Sequence, residues 1–228
     1  MRVLQSMAIF SFVAGATMLL FGVLTAGGKE KPAEGPVHEF DLIQSIATPS
    51  PAAEGEATAT PEVAATPTAT PFDGHVTRLK IPRFKVDSVV EEIGLKENNE
   101  LDVPHNPHNS GWYTPYSRPG WDGNAVFSAH VDYWPDIRGP FYNLKNAEAG
   151  DEIVIQMENG EEYRYRVFRK KRYDVSTIPM GDLIWPKDRP DGKQWVTLIT
   201  CGGDFVSATP GGPGEYLHRD VVVAERIQ

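Results

Sequence analysis

The sequence predicts an all-β domain, either a barrel or a sandwich, over residues 76–228. Its β-rich runs are short and closely spaced, and helical spacing of apolar residues is rare. An Asn159-Gly160 pair marks a two-residue turn between two of the runs. Closure of the sheet into a barrel would remove its exposed edges.

The predicted elements follow one another with little chain between them. The strands are at residues 78–81, 86–93, 124–131, 152–157, 161–173, 195–201 and 220–227, and a short segment at 101–103 precedes a loop of Pro, His and Asn. Residues 141–147 and 180–185 are the only stretches that predict single short helices.

The strand predicted at residues 195–201 ends at Cys201, the only cysteine of the chain, and two glycines that we expect to form a turn follow it. The period of two places Cys201 on the same face as Trp195 and Ile199, with Val196 on the opposite face. The buried strand therefore fixes the direction in which the thiol of Cys201 points.

Residues 7–28 form a run of 22 residues without a charged side chain. A helix of that length, at about 1.5 Å per residue, crosses a hydrocarbon core of about 30 Å. The run is either a membrane span or a signal peptide, and its small residues at 25–27 make a poor cleavage site. We therefore expect residues 1–28 to be an uncleaved membrane anchor.

Residues 29–75 contain seven prolines among Ala, Thr and Glu, and they carry two basic against eight acidic groups. Such a composition does not bury enough apolar surface to offset the entropy of ordering. We expect a disordered stalk that reaches about 40 Å as a coil. Residues 76–228 carry 19 basic against 23 acidic groups and no basic block, so we expect no nucleic-acid partner.

A single cysteine cannot form an intramolecular disulfide, so Cys201 is either a buried small hydrophobic residue or a free reactive thiol. Thiols attack as thiolates, and a nearby imidazole would accept the proton. His130, near the end of the predicted strand 124–131, is the best candidate, and His218 is a weaker one. One cysteine with scattered histidines gives no metal-ligand spacing.

Arg219 opens the last β-rich run, 18 residues after Cys201. An arginine stays charged at any working pH and can donate several hydrogen bonds to an oxyanion. The alternative role for Arg219 is a surface cation at the edge of a strand.

These residues resemble the sortases, which are membrane-anchored cysteine transpeptidases of the bacterial surface. The run Thr-Leu-Ile-Thr-Cys at 197–201 is similar to the sortase TLxTC signature, and His130 and Arg219 match the catalytic histidine and arginine of the family. Further similarity covers nearly all of residues 76–228 and is greatest to class F, with class E next. The resemblance implies a closed barrel of about eight strands with one or two short helices.

The resemblance also implies a reaction. Cys201 would attack the Thr carbonyl of an LPxTG-like sorting motif, Arg219 would stabilise the oxyanion, and His130 would protonate the leaving amine. An amine acceptor, such as a peptidoglycan precursor, would then resolve the thioester without any cofactor. Thr200 could position the site, and Asp132 could orient the imidazole of His130. The substrates would be surface proteins that carry the motif, and the catalytic domain would lie outside the cell.

Some features depart from the family pattern. Ala129 precedes His130 where we expect glycine, and residues 207–215 form a Pro/Gly-rich loop where sortases contact substrate. No acidic cluster predicts the calcium site of some class A members. Two alternatives stay open: a catalytically inactive surface β-barrel that binds a partner, and an L,D-transpeptidase, whose Ser-His-Gly-Cys arrangement is absent here.

Overall fold

The computed structural model describes residues 37–42, 70–210 and 212–227. The predicted membrane anchor and most of the predicted stalk lie outside these ranges. Within them, no helix has both the length and the apolar character that crossing a membrane would require.

Short strands dominate the described residues. They are β1 Phe40–Asp41, β2 Val76–Ile81, β3 Val86–Ile93, β4 Ser110–Tyr113, β5 Gly123–Ala129, β6 Asp132–Tyr133, β7 Ile137–Arg138, β8 Glu152–Met157, β9 Glu162–Asp174, β10 Gln194–Ser207 and β11 Gly214–Arg226. One α-helix, α1 Met180–Ile184, precedes β10, and the segments Pro82–Phe84 and Leu144–Asn146 are single 3-10 turns.

Eight of the strands close into a barrel in the order β9, β11, β10, β5, β4, β3, β2, β8. The barrel closes because β8 pairs with β2 on one side and with β9 on the other. The pairs β5–β10 and β3–β4 are parallel, and the remaining neighbours in the barrel are antiparallel. The expected all-β closed barrel is confirmed.

Several elements differ from the sequence prediction, including the short strands β6 and β7, which were not predicted, and β11, which begins at Gly214. Strand β4 was not predicted, because all four of its residues are buried and its sequence, Ser-Gly-Trp-Tyr, shows no alternation. Residues 141–147, predicted as a helix, contain only the 3-10 turn Leu144–Asn146. The backbone N–H groups of Leu144 and Ala147 bond to the carbonyls of Phe141 and Leu144, three residues back, which is the 3-10 pattern and not the α-helical one.

The alternation predicted for the β10 strand is confirmed. Val196 and Leu198 point into the barrel and pack in its interior cluster with Phe127. Trp195 and Ile199 point outward, into a second buried cluster that includes side chains from helix α1. Because both faces of β10 are buried, its position in the sheet is strongly determined.

A small part of the predicted stalk is ordered on the barrel. Strand β1 pairs antiparallel with β9, where Phe40 lies opposite Lys170 and Asp41 lies opposite Arg169. Strand β8 pairs with only the first part of β9, which leaves an open edge further along. Strand β1 occupies this edge, so the expectation of a solvated stalk is wrong for these residues.

A buried ion pair lies between β9 and β11. The carboxylate of Asp220 accepts hydrogen bonds from Arg172 Nε at 2.7 Å and Nη2 at 2.8 Å. The side chains of Arg172 and Asp220 are only 12% and 3% exposed. Buried charges are costly unless they are paired, so this two-point contact is necessary for both groups.

We expect Asp220→Ala to lower the free energy of unfolding by about 3–5 kcal/mol, because the substitution leaves the Arg172 guanidinium buried without this carboxylate. Denaturant titration of the full chain measures the change. The matched control is Asp87→Ala, whose carboxylate is 55% exposed and binds Arg78. It should cost about 1 kcal/mol or less, and equal losses in the two variants would contradict the prediction.

Candidate active site

Cys201 and Arg219 are direct neighbours across two strands. Cys201 in β10 lies opposite Arg219 in β11 in the antiparallel register. Side chains of opposed residues project to the same face, with Cβ atoms about 4.5–5.5 Å apart. The 18 residues that separate them in sequence run along the rest of β10, through the connecting loop and back along β11.

His130 comes to the same place from the other side of β10. Strand β5 runs parallel to β10, with Ser128 aligned with Ile199. The Thr200 hydroxyl donates a hydrogen bond to the Ala129 carbonyl at 2.8 Å, which extends the alignment by one residue. His130 is the next residue, and continued parallel alignment would place it opposite Cys201. The structure thus brings His130, Cys201 and Arg219 to one end of the barrel on three adjacent segments.

The expectation that the strand ends at Cys201 before a glycine turn is wrong. Strand β10 continues to Ser207, with a shift in register between Gly202 and Phe205. A Cβ atom on Gly202 would lie 2.3 Å from Oδ2 of Asp220, and Gly203 has a φ of 70°. The two glycines therefore allow the strand to pass close to the buried ion pair and to bulge, rather than to turn.

The imidazole of His130 is held by the loop before β4. Its Nε2 atom lies 3.0 Å from the carbonyl oxygen of Pro104. A carbonyl oxygen accepts and does not donate, so Nε2 carries the hydrogen, and in the neutral ring Nδ1 is the basic nitrogen. The ring also packs edge-on against Tyr133, with centroids 5.4 Å apart.

Arg219 is fixed to its own strand. Its Nη1 donates hydrogen bonds to the carbonyls of Tyr216 at 3.0 Å and His218 at 2.9 Å. These contacts hold the guanidinium close enough to the thiol for its charge to favour the thiolate form of Cys201.

The pKa of Cys201 is nevertheless raised. Burial is the main cause, and the carboxylates of Asp132 and Asp220 also raise this pKa, while Arg219 lowers it. Burial and the two carboxylates raise this pKa because low polarity and negative neighbours both disfavour a thiolate. In the free protein the resting form at neutral pH is the thiol.

The structure places the other predicted site residues near the thiol. Asp132 is in β6 rather than on the strand that leads to His130, and its carboxylate accepts a hydrogen bond from the Tyr216 hydroxyl at 2.6 Å. The role of Asp132 in orienting the imidazole of His130 stays a prediction. Thr200 is buried, and its hydroxyl joins β10 to β5.

The weaker histidine candidate, His218, lies on the other face. It precedes Arg219 in β11 and is aligned with Gly202, so alternation directs it away from the thiol. Its Nδ1 is buried, and within the described ranges it has no hydrogen-bond partner. Sequence reasoning missed Pro104 and Tyr216, since neither a backbone acceptor nor a tyrosine hydroxyl on a neighbouring strand has a sequence signature.

Two further features describe the surroundings of the site. A pocket of about 350 Å³ lies between the turn after β2 and residues 138–143, with Lys85, His108 and Arg138 in its lining, and Cys201 is outside it. Among the residues that the structure describes, no group of three His, Cys, Asp or Glu side chains could hold a metal ion.

The chain matches the family model of the sortase domain over residues 79–227. No curated protein matches it significantly. Solved structures that are similar include a lid mutant of sortase A from Corynebacterium diphtheriae, with 21% identity, a TM-score of 0.48 and coverage of 67% of this chain and 70% of that one. Sortase C1 from Streptococcus agalactiae has 22% identity and a TM-score of 0.48, with 67% of each chain covered. The sortase D5 transpeptidase from Clostridium perfringens has 19% identity and a TM-score of 0.46, with 67% of this chain and 79% of that one covered.

The charges around Cys201 predict opposite changes in its reactivity. Asp132→Asn should lower the pKa of the thiol because a carboxylate that disfavours the thiolate is removed, and Arg219→Ala should raise it because a stabilising cation is lost. The rate of alkylation by iodoacetamide as a function of pH measures this pKa directly, since Cys201 is the only thiol.

Asp87→Asn is the control for the alkylation series, because that carboxylate is bound to Arg78 on β2. It should leave the pH profile unchanged. A profile that moves in the same direction for Asp132→Asn and Arg219→Ala would show that their charges do not act on the thiol.

Proposed function

Because the chain belongs to the sortase family, whose members are cysteine transpeptidases, we propose that it cleaves a sorting motif similar to LPxTG and transfers the acyl group to an amine. The observation that carries this proposal is the alignment of Cys201 with Arg219 across β10 and β11, with His130 on the neighbouring segment. The three groups supply a nucleophile, an oxyanion donor and a proton carrier in one place.

In the first half-reaction Cys201 is the nucleophile. Its proton passes to Nδ1 of His130 as the sulfur forms a bond with the Thr carbonyl carbon of the motif. The carbonyl oxygen becomes an oxyanion that the guanidinium of Arg219 stabilises. His130 then gives its proton to the departing amine, the C–N bond breaks, and a thioester remains on Cys201.

In the second half-reaction an amine attacks the thioester, and His130 accepts its proton. A new amide forms as the C–S bond breaks, and the departing thiolate of Cys201 takes the proton from His130. One amide is exchanged for another, and the thioester conserves the bond energy between the two steps. The chain therefore needs no cofactor for this reaction.

We also infer the setting of the reaction from the sequence. Residues 7–28 anchor the chain in the membrane, and the catalytic barrel lies on the outer side of the cell. Its partners are surface proteins that carry the motif and an amine acceptor such as a peptidoglycan precursor. The motifs around His130 and Cys201 are most similar to those of class F, with class E next.

Two observations favour a second candidate, a surface barrel that binds a partner and has an inert thiol. The raised pKa of Cys201 and its partial burial both reduce the reactivity of the free thiol. The placement of His130 on the segment next to β10 favours catalysis, because a thiol can lose its proton to a nearby basic nitrogen as the substrate binds.

Cys201→Ala should abolish cleavage and transfer while leaving the melting temperature nearly unchanged, because the side chain is small and only half-buried. Mass spectrometry of the products of the full chain with a peptide library and a glycine-based acceptor measures both activities. Wild-type protein without acceptor, which should show slow hydrolysis only, is the control. Turnover by the variant would remove Cys201 from its proposed role, and an inactive wild type would favour the binding module.

Arg219→Lys should lower kcat about tenfold or more, because lysine keeps the charge and loses the planar arrangement of donors on which oxyanion binding depends. Steady-state kinetics with the sorting peptide gives the change. Lys171→Arg, on the neighbouring strand β9, is a control for a cation exchange at a distance from the thiol. Near-normal kcat in Arg219→Lys would assign the arginine a structural role.

A further inference from the structure

One peptide group connects His130 to a carboxylate on a distant strand. The carbonyl of Pro104 accepts a hydrogen bond from Nε2 of His130 at 3.0 Å. The N–H of the same peptide, that of His105, donates a hydrogen bond to Oε2 of Glu91 at 2.8 Å. In a trans peptide the N–H and C=O point in opposite directions within one plane, so Glu91 and His130 lie at opposite edges of the same peptide group.

The sheet explains why Glu91 and His130 face the same loop. Glu91 in β3 is aligned with Gly111 in β4, and Gly111 is aligned with Ser128 in β5. A Cβ atom on Gly111 would lie 2.2 Å from Cδ1 of Ile93 and 3.1 Å from Cγ of Pro104, so both side chains pack closely over the glycine. The loop that contains Pro104 therefore passes over β4, and it contacts Glu91 on one side and His130 on the other.

The carboxylate of Glu91 organises the whole loop. Its Oε1 accepts hydrogen bonds from the backbone N–H of Asn106 at 3.0 Å and from Nδ2 of Asn109 at 2.9 Å. Burial would raise the pKa of Glu91, but the hydrogen bonds from His105, Asn106 and Asn109 bring it below its ordinary value. Glu91 is therefore ionised at neutral pH.

We propose that Glu91 is a positioning residue for His130 and acts through the Pro104–His105 peptide. A carboxylate that binds the N–H of a peptide polarises its C=O, which becomes a stronger acceptor for Nε2–H. The peptide thereby fixes the orientation of the ring, keeps Nδ1 as the basic nitrogen and stabilises the imidazolium that forms when His130 takes a proton. The expected effect on kcat rests on the proposed function. The expected effect on the orientation and hydrogen bonding of the His130 ring rests on geometry alone.

The test is Glu91→Gln in the full chain, with two readouts. A glutamine has one acceptor oxygen and two N–H donors, so it cannot accept from both Asn106 and His105 as the carboxylate does. We expect kcat for the sorting peptide to fall about tenfold, the size of one weakened charge-assisted hydrogen bond, with KM unchanged. The Nε2–H proton of His130, observed by NMR with nitrogen-labelled histidine, should exchange faster with water than in the wild type.

The matched control is Glu92→Gln, the same substitution one residue further along β3. Glu92 points to the opposite face and binds Nδ1 of His75, so this variant should match the wild type in both readouts. Glu91→Asp keeps the charge and shortens the reach, and it should show the same losses as Glu91→Gln. It also replaces that variant if the glutamine protein does not fold.

Wild-type exchange and kcat in a folded Glu91 variant would overturn the proposal, as would equal losses in Glu92→Gln. The NMR readout does not depend on turnover. If the wild type proves inactive, faster exchange confined to the Glu91 variants still supports the connection, and unchanged exchange refutes it.

Discussion

The candidate site depends on the register of β10 against its two neighbours. A slip of one residue would turn Cys201 into the barrel interior and place its neighbours at the surface. Two buried threonine hydroxyls oppose such a slip on the β5 side. Thr200 donates to the Ala129 carbonyl at 2.8 Å, and Thr197 donates to Oδ1 of Asn124 at 2.9 Å. Packing of Val196 and Leu198 inside the barrel fixes the same register.

Opposite charges act on the thiol from the two faces of β11. Arg219 shares the face of Cys201 and favours the thiolate, whereas Asp220, the next residue, disfavours it. Asp220 forms the buried ion pair with Arg172. Because Gly202 has no side chain, β10 can pass close to this pair. The carboxylate that stabilises the fold therefore also contributes to the raised pKa of the Cys201 thiol.

The sequence predicted most of the fold because its strands alternate clearly and a single cysteine lies at the end of a motif. It could not predict β4, whose residues are buried on both faces, or the ordering of Phe40 on β9, which depends on where β8 ends. In the candidate site, the cysteine, histidine and arginine could be singled out from sequence because their chemistry is distinctive, and strand pairing explains why they lie on adjacent segments. The Pro104 carbonyl could not be found, because a backbone acceptor depends on the path of a loop and not on residue type.

In the proposed reaction, a thiol at rest does not conflict with catalysis, because the surrounding groups favour charge separation in one direction. Arg219 lies on the sulfur side of the pair and stabilises negative charge there. On the imidazole side, the hydrogen bond from Nε2 of His130 to the Pro104 carbonyl stabilises positive charge. The proposed transfer of a proton from Cys201 to His130 would thus create each charge next to a group that stabilises it. Because these groups are held by backbone contacts before any substrate binds, little reorganisation is needed at the moment of attack.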